Sequence, residues 1–348
     1  MMAQQARILT ITLNPALDLS TAAAHVVPDV KLRCAAPSHD PGGGGINVSR
    51  AIMAMGGESH ALVALGGPTG QRMAQMLSQI GIRLISLPAP GETRQSLTVD
   101  DETTRQQYRF VMPGPEWCAQ DVERALNAAA GTVEPDTLVV LSGSNPPGVP
   151  SGFAAMLAER LQGTGARLIV DTSGAALAAV AAAHDRRVEI LRMDDAEAEG
   201  LAGRPLPYRA DTAAFAAGLV ASGAARGVIV ARGRDGNIIA TDDGIWHAEA
   251  ARVPVRSKVG AGDSFLAGFT LGHARGWPVA DALGLAAAAA SATVQTPATE
   301  LCRGEYPPLP RRRWQRRKPK SQPWLTIQNF HRVLGLRGFR VAVDRRSR

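Results

Sequence analysis

The sequence is poor in lysine, poor in cysteine and free of long apolar runs, and each scarcity removes a class of protein. Of 38 basic residues only Lys31, Lys258, Lys318 and Lys320 are lysines, and none follows a glycine. A Walker A loop, whose Gly-Lys pair cradles phosphates, is therefore absent. "GGGGIN" and "GAGDSF" lack the third glycine of a dinucleotide fingerprint, so a nucleotide site would have to be built by other means. Cys34, Cys118 and Cys302 are widely spaced and form no C-x-x-C pair. That argues against a disulfide framework or a zinc site and suits a reducing cytoplasm. Seven histidines are scattered singly, without an H-E-x-x-H pattern, and read as structural or exposed residues rather than ligands. The longest small-apolar run, "LGLAAAAASATV", falls well short of the roughly 20 residues of a membrane span and reads as a packed interior helix. The opening "MMAQQARILTITLNPALD" lacks the apolar core expected of a signal peptide.

What is present reads as a globular α/β chain. With 348 residues, 45% hydrophobic and 20% charged, it can bury a large core as one domain or one domain with an appendage. The net charge of +7 is uneven: residues 303–348 carry 14 Lys/Arg against two acids, a local +12, which leaves −5 for residues 1–302. A mildly acidic body bears no nucleic-acid footprint. "RILTITL", "HALVALG", "TLVVLSG", "RLIVDTS", "VEILRM" and "GVIVARG" are apolar runs of strand length. Between them "INVSRAIMAMGG", "GQRMAQMLSQIG", "FAAMLAERLQGTG" and "DTAAFAAGLVASG" carry helical patterns. The alternation predicts a mostly parallel sheet covered by helices on both faces, closed by two helices over about 261–275 and 278–296. Two polar-alternating stretches, "LDLSTAAAHVVPDVKLRCAAPSHDPGG" and "TRQSLTVDDETTRQQYRFVMPG", interrupt the rhythm and predict a small separate sheet hinged on the body.

Several stretches carry candidate chemistry. "SKVGAGDSF" sets Gly260, Ala261 and Gly262, then a lone carboxylate, Asp263, before an apolar helix. Asp263 could be a simple N-cap. Helix-start N–H groups also collect anions, and a carboxylate beside them could deprotonate an attacking hydroxyl. "DPGGGGINVSR" puts four consecutive glycines before a helix, exposing N–H groups and letting a ligand approach the main chain. Asn47, one turn in, can donate to and accept from hydroxyls; a flexible loop is the plain alternative. "SGSNPPGVP" and "VDTSG" follow buried-looking strands, where ligands bind in open parallel sheets; a rigid turn and a helix cap would explain them as well. Asp194 and Glu197 in "LRMDDAEAEGL" share a helix face and could hold waters around Mg²⁺, or form a solvated acidic first turn. Phosphoryl transfer needs anion stabilisation, a base near the acceptor hydroxyl and exclusion of water. The glycine turn, the polyglycine loop and the detachable sheet meet those needs jointly, so Asp263 is read as the general base.

"PGGGGINVSRA" and "VGAGDSFLAGF" also resemble, in the right order and some 215 residues apart, the two signatures of the PfkB carbohydrate kinases. The resemblance runs from about Arg7 to Cys302. It implies an α/β, three-layer ribokinase-like fold with a mostly parallel central sheet, helices on both faces and a small β-sheet lid. "KLRCAAP", "QYRFVMPGP" and "VDTSGAAL" are similar to the ATP-dependent 6-phosphofructokinase branch of the minor bacterial isozyme type. Fructose-1-phosphate and tagatose-6-phosphate kinases usually carry lysine in the glycine loop, where this chain has Gly44. On this resemblance Asp263 is the catalytic base, and Gly260, Ala261 and Gly262 form the anion hole. Asp18, Gly43, Gly44 and Asn47 hold the sugar hydroxyls, and Arg94, Ser144, Arg33, Arg109 and Lys31 the sugar phosphate. Arg192, Asp194, Ala231, Gly233, Gly236 and Ser257 lie toward ATP, with Asp194 and Glu197 toward Mg²⁺.

The resemblance implies ATP-dependent phosphorylation of fructose 6-phosphate to fructose 1,6-bisphosphate in the cytoplasm, with ATP as co-substrate, Mg²⁺, K⁺ as a further cation, and a homodimer joined through the lid at about 17–41 and 92–112. The alternatives are a tagatose-6-phosphate or fructose-1-phosphate kinase, and a catalytically weakened sugar-phosphate binding protein. The last arises because the ATP side departs from the family in four places: Arg192-Met193-Asp194 for Lys-Pro-Asn, Lys258 for Thr, Ala231-Arg232-Gly233 for Ser-x-Gly, and Thr296-Pro297-Ala298 for Asn-x-Gly near the cation and adenine sites. After the domain at 7–302 the basic, Pro/Arg-rich tail at 303–348 reads first as a shifted reading frame, since Arg outnumbers Lys 34 to 4. A disordered tail comes second and a polyanion-binding arm third.

Overall fold

The structure, a computed structural model, describes residues 5–184, 187–296 and 300–302. The three readings of the tail at 303–348, and Pro297 and Ala298 of the cation segment, lie outside the described residues. The chain runs β1 (Ile8–Thr12), β2 (Ala16–Ala23), β3 (Ser38–Gly42), α1 (Gly44–Ala54), β4 (His60–Leu65), α2 (Gly67–Gln79), β5 (Arg83–Pro88), β6 (Arg94–Asp101), β7 (Gln107–Val111) and α3 (Ala119–Ala130). It continues with β8 (Leu138–Ser142), α4 (Phe153–Arg160), β9 (Arg167–Asp171), α5 (Gly174–Ala181), β10 (Val188–Asp194), α6 (Asp195–Ala202) and α7 (Arg209–Ala221). The last elements are β11 (Ala225–Ala231), β12 (Asn237–Thr241), β13 (Gly244–Ala248), α8 (Ala261–Ala274) and α9 (Val279–Thr293).

Nine strands form the main sheet in the order β13-β12-β11-β10-β9-β8-β1-β4-β5. From β5 to β11 every pairing is parallel; β12 and β13 add an antiparallel hairpin. The apolar runs are strands because both of their faces are covered, so alternation gives way to continuous burial. In β1, Leu9 and Ile11 join the core under α3, α4 and α5, whereas Ile8 joins the core under α1, α8 and α9. Fully burying one such side chain stabilises the fold by about 1.5–3 kcal/mol. The alanine run became α9, buried through most of its length. It admits α8 unusually close: a Cβ on Gly268 would stand 2.8 Å from Ala286 Cα, and one on Gly272 2.8 Å from Ala282 Cα. Among the described residues no helix is long and apolar enough to cross a membrane.

The two polar-alternating stretches form a second, four-stranded sheet, β3-β2-β6-β7. Each is an excursion from the main sheet, one between β1 and α1 and the other between β5 and α3, and the parallel pairing of β2 with β6 joins them. Its far tip is pinned by Asp101, whose carboxylate accepts from the N–H groups of Val26 (2.9 Å), Thr103 (2.9 Å) and Thr104 (2.8 Å), and bonds His25 Nδ1 at 2.8 Å. The main sheet changes direction at β1, from which the chain builds outward first through β4 and β5, then through β8 to β11. Ligands in open parallel sheets bind beyond the strand C-termini at such a switch.

Candidate active site

A cavity of about 420 Å³ opens at that place, between the ends of the main-sheet strands and the small sheet. The glycine run forms one wall. Gly43 adopts φ 133°, a conformation open to glycine and strained for other residues. A Cβ at Gly44 would lie 2.3 Å from Ser142 Oγ and 2.9 Å from Gly143 N. The run is therefore packed against the end of β8 and is not a loose loop. Thr12 at the end of β1 accepts from Ile46 N at 3.0 Å, fixing the start of α1.

Asp263 is not a cap. Gly260, with φ 72°, is the N-cap residue of α8, no side chain caps that helix, and Asp263 stands at its third position. Its Oδ2 instead accepts from Asn47 Nδ2 at 2.9 Å, a bond across 216 positions of sequence. Burial raises the Asp263 carboxyl most, to about 6; the Asn47 donor pulls down, Asp171 pushes up and Arg192 pulls down. A carboxylate that gains and loses its proton near neutrality is suited to general-base work. Beside it Gly260, at the N-terminal and electropositive end of α8, also lines the cavity.

The small-sheet side of the cavity is cationic. Arg94 and Arg109 line the cavity with Asp18, Ser96 and Ser144. Arg94 is held by the carbonyls of Asn14 (Nε 3.3 Å, Nη2 3.2 Å) and Met112 (Nη1 3.3 Å). Burial raises the Asp18 carboxyl, opposed by Arg94 and Arg109. Asn14 also donates to Ser144 Oγ at 3.1 Å, so one residue fixes two candidate phosphate contacts. It went unnoticed in the sequence because nothing in "TLNPALD" distinguishes it from an ordinary turn asparagine.

Of the residues singled out in the sequence, Asp18, Gly43, Gly44, Asn47, Arg94, Arg109, Ser144, Glu197, Gly260 and Asp263 line this cavity. Lys31 and Arg33 stand on the exposed connection between β2 and β3, outside its lining. Ala261 and Gly262 open α8 behind Gly260. Arg192 lies beneath Gly262, where a Cβ would be 3.1 Å from its Nη2, and pairs with Asp171 at 3.1 Å, the two side chains 13% and 12% exposed. Asp171, Thr172 and Ser173 also line the cavity; the "VDTSG" stretch that looked equally like a helix cap supplies them. Asp194 and Glu197 form a reciprocal capping box at α6, each carboxylate accepting at 2.8 Å from the other's N–H. Burial raises the Glu197 carboxyl, the Asp194 N–H opposes this, and the Asp194 charge adds to it.

Toward the edge of the sheet, Ala231 ends β11 opposite Asp194 of β10. Gly233 and Gly236 bracket a short 3₁₀ turn, and Ser257 Oγ accepts from Val259 N at 3.1 Å. Arg232, only 10% exposed, bonds the carbonyls of Leu206 (2.9 Å) and Pro207 (3.0 Å), the Thr212 hydroxyl and Asp235 (3.0 Å). It thus ties this turn to the α6–α7 connection. None of Ala231, Arg232, Gly233, Gly236 and Ser257 lines the cavity. Among the described residues no group of three or more His, Cys, Asp or Glu is placed to hold a metal ion.

Known proteins share this design. The chain is 37% identical over 296 residues to the ATP-dependent 6-phosphofructokinase isozyme 2 of Mycobacterium tuberculosis, covering 85% of this chain and 86% of that one. It is 36% identical to the protein of the same name from Escherichia coli, covering 85% and 95%. The crystal structure of phosphofructokinase-2 from Escherichia coli in complex with potassium superimposes with a TM-score of 0.80 at 35% identity, over 85% of this chain and 95% of that one. The family profile described as pfkB family carbohydrate kinase matches residues 12–304, a span that holds both glycine motifs, the small sheet and the buried carboxylate at the start of α8, so the chain belongs to the PfkB family of carbohydrate kinases.

Proposed function

We propose that this chain transfers the γ-phosphoryl group of ATP to fructose 6-phosphate, giving fructose 1,6-bisphosphate and ADP. The observation that carries the reading is Asp263: a carboxyl near pKa 6, held by Asn47 at the start of α8, across one cavity from Arg94 and Arg109. The arginine end suits the sugar phosphate, since guanidinium groups match phosphate oxygens with paired donors. Asp18 and Asn47 suit the sugar hydroxyls between. Asp263 then takes the proton of the attacking hydroxyl as its oxygen bonds to phosphorus and the bond from phosphorus to the ADP oxygen breaks. The N–H groups of Gly260 to Gly262 face the charge on the group in transit. The small sheet closes over the sugar and excludes water.

A cation fits the acidic end. Glu197 is raised by burial and by neighbouring Asp194, an anion that a nearby cation would relieve, and Mg²⁺ held mainly by nucleotide phosphates and waters needs few protein ligands. Glu197 is the residue we assign toward it, with Asp194 holding Glu197 in place. Mg²⁺ would neutralise charge on the ATP phosphates. We assign the ends of β10 and β11 with the 3₁₀ turn that follows, which carry Arg192, Ala231 and Gly233, to the nucleotide, a cytoplasmic setting to the protein, and the small sheet to a homodimer contact; K⁺ would belong near Thr296.

The test is release of ADP on adding fructose 6-phosphate, tagatose 6-phosphate or fructose 1-phosphate to protein with ATP and Mg²⁺. Preference for fructose 6-phosphate is expected. Turnover with another of these sugars alone would reassign the substrate, and binding without turnover would favour a sugar-phosphate binding protein.

A further inference from the structure

Arg50 lies on α1 three residues beyond Asn47, on the same helix face. Its Nη1 is 3.4 Å from Asn47 Oδ1 and 3.4 Å from the carbonyl of Pro41, and its Nη2 is 4.0 Å from Asp40 Oδ1. The side chain is 18% exposed. A guanidinium offers only donors and a carboxylate only acceptors. Between Arg50 and Asp263 the Asn47 amide therefore has one orientation that satisfies both neighbours, oxygen toward Arg50 and NH₂ toward Asp263. A flipped amide would set donor against donor on one side and oxygen against oxygen on the other.

We propose that Arg50 is a positioning residue of the phosphoryl-transfer reaction: through Asn47 it keeps an amide donor on Asp263, and through Pro41 and Asp40 it ties that bond to strand β3 of the small sheet. The inference rests on the phosphotransferase reading above. Asp263 is otherwise faced by Asp171 at the end of β9, Arg192 of β10 and, on the cavity wall, Glu197 of α6. Arg50 itself faces Asp40 of β3 and Asp18 of β2. The donor from Asn47 favours the ionised base, so an amide released by loss of Arg50 leaves burial less opposed and the carboxyl rises. Displacement of β3 would act on the base by the same route, which couples the state of the small sheet to the readiness of Asp263.

The experiment follows the Asp263 carboxyl by ¹³C NMR titration of the full chain without substrate, its signal assigned by loss in Asp263→Asn, alongside the acid limb of kcat/KM. Arg50→Met and Asn47→Ala should each move both upward by about 0.5–1 pH unit. The double variant should go no further than Asn47→Ala, because Arg50 acts through Asn47. Arg50→Lys, which keeps a donor-only cation, should stay near the wild type, and Arg50→Leu, which likewise offers no donor, reads the same shift should the Met variant fail to fold. An unmoved titration in Arg50→Met or Arg50→Leu overturns the proposal, as do shifts that add in the double variant, which would mean Arg50 acts by its charge alone. Absence of turnover with fructose 6-phosphate in the wild type would instead sink the substrate reading, while the titration would still decide the role of Arg50.

Discussion

Replacing Asp263 by Asn separates catalysis from stability, and the two should move in opposite directions. The carboxyl rises from 3.8 to about 6 in the folded chain, chiefly through burial. Between those values the native state binds more protons than the unfolded one, so stability falls as pH rises through the window, and the penalty is complete above about pH 6. At 1.36 kcal/mol per unit, discounted because the half-buried residue opens on the cavity, that penalty is about 1–3 kcal/mol. Asn keeps the shape and the bond to Asn47 without the charge. Asp263→Asn should therefore melt a few degrees higher than wild type at pH 7.5, at roughly 2–4 °C per kcal/mol for a domain of this size, and no higher near pH 4. Turnover should fall by at least about 10²-fold, the usual worth of a general base, with sugar-phosphate binding kept. In the wild type, kcat/KM should rise with pH through a midpoint near 6. Melting curves at the two pH values and ADP release at saturating substrate decide the matter. Near-normal turnover with no gain in melting temperature would refute both the base and the burial argument.

Three further perturbations follow from contacts described above. Gly44→Lys collides first with Ser142 and the backbone of Gly143, so fructose 6-phosphate kcat/KM should drop at least about tenfold and stability by about 1–3 kcal/mol; unchanged selectivity among the three sugar phosphates would remove Gly44 as a marker of the branch. Gly268→Ala forces a methyl onto the backbone of α9 at Ala286, which should cost about 1–3 kcal/mol and, by tilting the helix that carries Asp263, lower kcat more than it raises KM; steady-state kinetics with chemical denaturation measures both. Asp101→Ala removes the acceptor of three N–H groups at the tip of the small sheet, so hydrogen exchange at Val26, Thr103 and Thr104 should speed up while amides of β1 and β8 stay slow. In the wild type the Val26 N–H is the main cause holding the Asp101 carboxyl far below its usual range, so this anchorage should persist in moderately acidic solution and fail only as pH falls through that low value.

The main sheet was legible because burial on two faces writes itself as apolar runs of strand length. The hairpin β12–β13 was not: "NIIAT" and "GIWHA" are five residues each, and nothing in them announces a switch to antiparallel pairing. The small sheet was legible from its polar alternation, though not its parallel β2–β6 join, which depends on two segments over 70 residues apart. Asp263 could be read as a base or a cap from sequence; the folded chain, with Gly260 as the N-cap and Asn47 reaching across to the carboxylate, removes the cap reading. Asp194 and Glu197 illustrate the converse: acids at i and i+3 spell a capping box and a cation site with the same letters, and the hydrogen bonds reveal the first. Asp171 could be singled out only as part of "VDTSG", because a strand-end Asp before Thr and Ser also looks like the start of any helix.

The packed glycine wall bears on when conformational freedom is given up. A glycine-rich loop that orders only around its ligand surrenders about 1–2 kcal/mol of backbone entropy per residue at the moment of binding. Here Gly44 already abuts the end of β8, and Gly45 abuts Thr12 and the Ile11 carbonyl at the end of β1. That entropy is lost when the chain folds. On the proposed function, a sugar phosphate would meet a surface with its N–H groups already set, and the ordering left for the binding step would belong to the small sheet. Affinity would then be governed less by the glycine run than by how readily that sheet settles.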